Sequence, residues 1–509
     1  NPRILIIFKL YKKPKFKFIT IFNNLDLFLL LSTMQNKKNI NEMFEIDTKG
    51  KIKTRLPYVK INNWIKSMNV AEIKKKYFDA QNLFEKLGIT FSTYENSDEE
   101  RLLPFDIIPR IIKYKEWQLI EKGIKQRSKA LNAFLNDIYN KGAIIKAGII
   151  PENLIYQNPA FEKEMVGINV PGKIYSHIIG TDLVRIEKNK FYALEDNCRT
   201  PSGVSYMLEN REVMMKLFPN LFQSYKILPI EDYPNMLKDT LQSLAPLKCE
   251  NEPVIALLTP GIKNSAYYEH SFLSDLMGIE LVEGDDLFVK GDFVYMRTTE
   301  GPKKIDIIYR RIDDEYLDPL CFNPNSKIGI PGIMNVYRSG GITICSAPGS
   351  GIADDKEVYI YVPKMIEFYL GEKPIIDNIE TWSCNNPKKI NYILENIKDL
   401  VIKEVHGSGG YGMLIGPKAT KKEIDIFKKR IKENPQNYIA QPTLNLSSVP
   451  TVINGKLKDR HVDLRPFCLS GKKTYLAKGG LTRVAMKEGS LIVNSSQGGG
   501  VKDTWVLTG

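Results

Sequence analysis

The chain has 509 residues, 43% of them apolar and 10% aromatic, enough for roughly two to four domains with real cores and too apolar for a disordered polymer. Its formal charge of +13 is unevenly placed: residues 1–80 carry 17 Lys/Arg against 6 Asp/Glu, so the nearly balanced remainder shows no basic face of the kind that marks a nucleic-acid binder. The cysteines (Cys198, Cys249, Cys321, Cys345, Cys384 and Cys468) are isolated, with no Cys-x-x-Cys pair, a spacing that suits a reducing cytoplasm better than a disulfide framework or zinc site.

Residues 1–60 read as a basic extension. The part before Met34 has no initiator Met and is rich in Lys, Ile, Phe and Asn, as expected of an in-frame translation upstream of the native start or of a disordered tail. Leu25 to Leu31 is too short to span a bilayer and no small-residue cleavage site follows, so neither a membrane segment nor a secretory signal is expected.

From Trp64 to about Ile155 the pattern is helical, with Leu83, Phe84 and Leu87 at helix spacing, a long run from Tyr114 through Ala143, and Pro104, Pro109 and Pro151 as punctuation. Residues 61–155 are therefore expected to form a helical region. Residues 156–245 follow as a second segment, built on a hairpin. Leu183 to Ile186 and Phe191 to Leu194 read as strands joined by the turn-like Glu187-Lys188-Asn189-Lys190. That hairpin sets Asp182 against Glu195 and Asn197, and residues i and i+2 of a strand share a face. Three oxygen donors without His or Cys suit Mg²⁺; a surface hairpin with scattered polar residues is the plainer alternative.

Residues 250–350 open with the apolar strand Val254 to Leu258. Then come a helix (Ala266 to Met277), a strand (Glu280 to Val282) and the strand Ile305 to Tyr309, an alternation that predicts a small open α/β sheet. Arg310 and Arg311 leave its end beside Asp313, Asp314 and Asp318. An Arg pair suits a substrate carboxylate and the acids suit an ammonium group, although a surface ion-pair network reads equally from the residues.

Residues 351–509 hold the phosphate-type features. Leu400 to Val405 is a strand carrying Lys403 into His406-Gly407-Ser408-Gly409-Gly410-Tyr411-Gly412. Glycines let successive backbone N–H groups converge on one anion, and Lys403 adds a point charge. Met413-Leu414-Ile415 is strand-like, so a β-hairpin flap fits better than a dinucleotide fold, and no Gly-Lys-Ser/Thr is present for a Walker A loop. Lys356, after Asp354-Asp355, is expected to begin a helix that those acids cap. The strand Tyr438 to Pro442 offers backbone near Ala440, and the Gln441 side chain, to an adenine edge.

The order Asp182, Glu195, Asn197 resembles the magnesium triad of ATP-grasp ligases, Lys356 and Lys403 resemble that superfamily's two ATP-contacting lysines, and Gly407 to Gly412 its phosphate-closing loop. In the ordinary family the lysines and loop precede the triad. Here they follow it, so the chain is identified as a member of the circularly permuted ATP-grasp family (type 2), related to glutathionylspermidine synthase-type amide ligases. The resemblance runs from roughly Arg101 to Leu507. It includes Leu103-Pro104-Phe105-Asp106, the stretch Leu194 to Gly203, Tyr309 to Asp314 and Asn494 to Gly500.

It implies an α/β (α+β) fold with a small Rossmann-like pre-ATP-grasp domain, and an ATP- and Mg²⁺-dependent, ADP-forming carboxylate-amine ligase acting through an acyl phosphate. Arg199 and Ser202 then lie where related ligases hold a substrate carboxylate. Many ATP-grasp enzymes carry an Arg two residues before the first metal carboxylate; this chain has Gly180, so Arg465 or Arg483 is expected to supply that charge. Expected partners are a small-molecule or peptide carboxylate and an amine, with a homo-oligomer or operon-encoded partner protein as a further possibility. The alternatives are an ATP-grasp phosphotransferase and a catalytically silent partner protein.

Overall fold

The computed structural model describes residues 40–93, 96–407, 412–494 and 497–509. The basic stretch before residue 40, and Ser408, Gly409 and Gly410 of the glycine loop, lie outside the described residues. Helix and sheet are mixed throughout, as expected.

Three sheets position the site. The largest runs in the order Phe105–Ile112, Gly500–Val506, Thr474–Val484, Lys456–Ser470, Ile178–Glu187, Lys190–Asn197, with Ser448–Ile453 also paired to Lys456–Ser470. The first pair is parallel and the rest antiparallel. The segment carrying Asp182 is thus hydrogen-bonded directly to the C-terminal segment carrying Asp463 and Arg465. Because Ile178–Glu187 lies inside the sheet, its first eight residues are buried and it reads as a run rather than an alternation. The neighbouring strand Lys190–Asn197 lies at the edge, and its exposed and buried positions alternate over its first four residues. Asn189 makes the turn between them in the left-handed region (φ +63°), where Asn is tolerated because its short side chain satisfies the local backbone.

The second sheet has four parallel strands, ordered Thr343–Cys345, Ile307–Arg310, Ile255–Leu258, Glu280–Val282. With the helix Tyr267–Met277 joining the last two, this is the small Rossmann-like unit. The third sheet is antiparallel, ordered Trp382–Ser383, Tyr438–Pro442, Leu400–Glu404, Leu414–Ile415. It has its own core, in which Ile402 and Leu414 meet Ile393 and Phe427 from the flanking helices.

Two sequence expectations need correction. The helical reading holds for Val70–Lys86 and Tyr114–Ile138, but the strands Thr90–Thr93, Asn96–Leu102 and Phe105–Ile112 lie between them. All eight residues of Phe105–Ile112 are buried, and such a run has no period that separates a strand from a buried helix; pairing with Gly500–Val506 decides it. The other correction concerns residues 40–60, grouped with the basic extension, which are folded. Phe44–Ile46 pairs with Ile52–Thr54, and Met43 and Tyr58 are buried. Glu42 lies in the interior, accepting from Arg110 Nε and Nη2 (3.0 and 2.6 Å) and from the Ser447 hydroxyl (2.6 Å).

Candidate active site

The three sheets meet at a cleft of about 660 Å³. Asp182, Glu195, Asn197, Lys356 and Lys403 all line it, so five side chains widely separated in the sequence share one cavity. The hairpin register places Asp182 opposite Glu195, as expected from the sequence, and Gly180 opposite Asn197. Asn197 Nδ2 donates to the Gly180 carbonyl at 3.0 Å, which fixes the amide and leaves its oxygen as the available donor for a cation.

Between those two residues, Asp196 turns to the opposite face and is locked there. Arg127, from the long helix Tyr114–Ile138, donates Nε to Asp196 Oδ1 at 2.7 Å and Nη2 to Oδ2 at 2.6 Å. The Thr181 hydroxyl adds a bond of 2.9 Å. Both charged partners are buried, so the pair acts as a pin holding Glu195 and Asn197 in line. Arg127 stands in no sequence motif; alternation along 195–197 is the signal that Asp196 needs an inward partner.

Asp182 is fully buried and doubly clamped. Arg465 donates Nε to Oδ1 at 2.5 Å and Nη2 to Oδ2 at 2.8 Å, while Arg483 Nη2 donates to Oδ2 at 2.6 Å. Burial alone would raise this carboxyl, but Arg465 and Arg483 hold it well below the usual carboxylate range. Arg483 is shared with Asp463, whose carboxyl burial pushes up despite that contact. Asp182 is therefore the firm anion of the pair. The expected positive charge beside the first carboxylate is present twice, arriving from the strands Lys456–Ser470 and Thr474–Val484 instead of from position 180.

Lys403 sits where burial pushes its ammonium below the usual lysine range, with Glu195 and Asp182 pulling it back up and Lys356 and Arg483 adding to the fall. Lys356 bonds the Gly407 carbonyl through Nζ, tying it to the root of the glycine loop. It does not begin a helix as expected: the 3-10 turns Ser350–Asp354 and Val358–Tyr361 flank it. Asp355 accepts from the N–H groups of Glu357 and Val358 (2.7 and 3.0 Å), whereas Asp354 turns away to the Cys198 N–H. Gly412 has φ +66°, and a Cβ there would lie 2.6 Å from Glu404 Cδ, so the far root of the loop requires glycine.

Other expected residues divide. Arg199, Ser202, Asp313, Asp314 and Gln441 line the cleft. Arg199 pairs with Asp313 at 3.2 Å, and the Ser202 carbonyl accepts from Arg465 at 3.3 Å. Arg310 and Arg311 do not line it. Arg310 is fully buried and donates to the carbonyls of Ser346 (2.6 Å) and Ile312 (2.7 Å); Arg311 donates to the Pro201 carbonyl at 3.0 Å and pairs with Glu269 at 3.2 Å. Both hold loops against the small sheet, because a guanidinium leaving a buried strand end finds unpaired carbonyls there. Asp318 also serves a loop, accepting from the N–H groups of Gly332 and Met334 at 3.0 Å. Ala440 offers no open edge, since its strand is paired on both sides, with Trp382 and Ile402 opposite Ala440. The Gln441 amide donates to the Thr381 hydroxyl at 2.9 Å.

The donor set fits a hard divalent cation: two carboxylates and one amide oxygen, with no sulfur or imidazole. No group of three or more His, Cys, Asp or Glu suited to a metal occurs among the described residues. A site here thus depends on Asn197 as third donor. No helix among the described residues is long and apolar enough to cross a membrane.

A family model described as circularly permuted ATP-grasp type 2 matches residues 109–485. A Synechocystis protein is 50% identical over 450 residues, covering 88% of this chain and 93% of that protein. A Mycobacterium tuberculosis protein is 46% identical over 92% of this chain and 84% of its own length. A Frankia alni protein named "Putative glutamate--cysteine ligase 2-3" is 39% identical over 82% of this chain but only 48% of its own length. Among solved structures, a glutathione synthetase-like effector (GSS30) from Globodera pallida superposes with a TM-score of 0.57 at 12% identity, covering 86% of this chain and 98% of the other; that likeness concerns the fold.

Proposed function

Since the chain belongs to the circularly permuted ATP-grasp type 2 family, we propose that it is an ATP- and Mg²⁺-dependent ligase that joins a carboxylate to an amine through an acyl phosphate, releasing ADP. The supporting observation is the convergence of Asp182, Glu195, Asn197, Lys356 and Lys403 on one cleft. The ligase name of the Frankia relative points the same way.

Glu195 and Asn197, with Asp182 behind them, would hold Mg²⁺, which supplies neutralising charge to the β- and γ-phosphates during phosphoryl transfer. Lys356 and Lys403 bind phosphate oxygens inside the cleft, where water has to be kept from an acyl phosphate that it would otherwise hydrolyse. Arg465 and Arg483 bring positive charge to the place where an oxyanion develops. Arg199 receives a substrate carboxylate, exchanging its pairing with Asp313 for one with the ligand.

The test is ADP release by the purified chain with ATP, Mg²⁺ and a pool of amino acids, glutamyl peptides and polyamines, with hydroxylamine added to trap the acyl phosphate as a hydroxamate. Glu195→Ala and Lys403→Ala should each abolish both products. Full turnover in both variants, or a phosphorylated product without hydroxamate, would overturn the ligase reading.

A further inference from the structure

Resting on the ligase reading, we propose that Glu162 binds the ammonium group of the acceptor amine and takes its proton before the amine attacks the activated carbonyl. Pro159, Ala160 and Glu162 form one wall of the cleft. Their loop is held along its length: Asn158 Nδ2 donates to Asp355 Oδ2 at 2.7 Å, its Oδ1 accepts from Ala160 N at 2.9 Å, and Glu162 N donates to the Tyr139 hydroxyl at 3.2 Å. Phe161 stacks on Tyr139 with ring centroids 4.9 Å apart. The backbone at 162 is therefore fixed, yet the Glu162 carboxylate has no hydrogen-bond or ion-pair partner among the described residues.

Four aspartates nearby are engaged. Asp313 pairs with Arg199, Asp314 pairs with Arg310 and accepts from Gly349 N at 3.0 Å, Asp354 accepts from Cys198 N, and Asp355 caps the turn after Lys356. Glu162 is left as a free acceptor on that wall. Its place relative to the chemistry follows from Gly351: a Cβ there would lie 3.3 Å from Arg199 Cδ and 3.8 Å from Ala160 Cβ. Gly351 thus packs between the loop and Arg199, two residues beyond Asn197 at the end of the strand Lys190–Asn197.

An acceptor amine arrives protonated at neutral pH and has no lone pair to attack with. Burial, and then the like charges of Asp314, Glu164 and Glu315 against the opposing Arg310, push the Glu162 carboxyl up to about 7, the range in which a side chain takes a proton efficiently at neutral pH. The nitrogen lone pair forms the C–N bond and the C–O bond to phosphate breaks, with phosphate leaving on the electron pair. One ammonium proton rests on Glu162, and the second leaves with the phosphate.

The experiment uses the full chain with ATP, Mg²⁺ and the twenty amino acids plus glutathione as carboxylate pool. Acceptors are either hydroxylamine, uncharged at neutral pH, or the ammonium groups of the pool itself; hydroxamates and amides are counted by mass spectrometry. Glu162→Gln should leave hydroxamate formation within about twofold of wild type but lower amide formation by about a hundredfold at neutral pH, the deficit shrinking as alkaline pH supplies free amine. Amide formation by Glu162→Gln at the wild-type rate overturns the proposal, as does equal loss of both products in a variant whose melting temperature is unchanged. Absence of hydroxamate with the wild-type chain would instead overturn the ligase reading.

Discussion

Arg465 lies across Gly180, in the space a side chain at 180 would need. A Cβ on Gly180 would stand 3.2 Å from Arg465 Cδ, 3.4 Å from its Cγ and 3.0 Å from Pro201 Cβ. The missing side chain lets the guanidinium reach across from a neighbouring strand to Asp182, two residues further on. Gly180→Ala should therefore push Arg465 off Asp182, lowering turnover about tenfold and costing about 1–3 kcal/mol from overpacking. Because truncating Arg465 removes its share of that crowding while Pro201 stays in place, Gly180→Ala should cost less in the Arg465→Ala background than in the wild-type chain. A urea-unfolding cycle showing simple additivity would refute the contact as cause.

Glu42 links the folded N-terminal segment to this network. Its partner Arg110 also donates to the Asp463 carbonyl at 2.8 Å, and Asp463 in turn holds Arg483. Burial works to raise the Glu42 carboxyl, but Arg110 and Arg185 bring it down from 4.5 to about 2. A depressed acid contributes stability above its unfolded pKa and loses it as pH falls toward the folded one. Glu42→Gln should accordingly cost about 3 kcal/mol at neutral pH, and the gap from wild type should close between pH 4.5 and about 2. Denaturant titrations at several pH values measure it; a gap constant with pH would sink the assignment.

What the sequence made legible was local. Asp182 opposite Glu195 followed from the turn-like Glu187-Lys188-Asn189-Lys190 between two short apolar strands. Burial and remote pairing were not legible: Arg310 and Arg311 looked like a substrate clamp because nothing in a linear motif reveals that both guanidiniums are spent on backbone carbonyls and on Asp314 and Glu269. Phe105–Ile112 hid as helix because an evenly buried strand has no period. Glu162 stood in no motif, and only the cleft shows its carboxylate without a partner.

Arg127 predicts a stability effect with a site readout. Removing its charge by Arg127→Met leaves the buried Asp196 with the Thr181 hydroxyl as its remaining side-chain bond, which should cost about 3–5 kcal/mol. Adding Asp196→Leu should recover most of that, since a matched apolar pair leaves no buried charge. Urea unfolding measures the stability and Mg²⁺ titration of ATP turnover reads the site: half-saturation at a higher Mg²⁺ concentration is expected in Arg127→Met because the strand bearing Glu195 and Asn197 loses its pin. Unchanged stability in the single variant would remove Arg127 from this role.

Glu162 should carry a stability cost that matches its proposed task. An acid whose folded pKa is raised, here from 4.5 to about 7, favours folding while protonated and loses that advantage as pH rises between those values. Glu162→Gln keeps a neutral side chain at every pH. Its stability should equal wild type below pH 4.5, rise above it through neutrality and level off at a gain of about 1 kcal/mol, reduced from the full shift because the group is partly exposed to solvent. Chemical denaturation at acid, neutral and alkaline pH checks the curve. A variant less stable than wild type at alkaline pH would mean that the ionised carboxylate has a stabilising partner, and the free acceptor on the cleft wall would be lost with it.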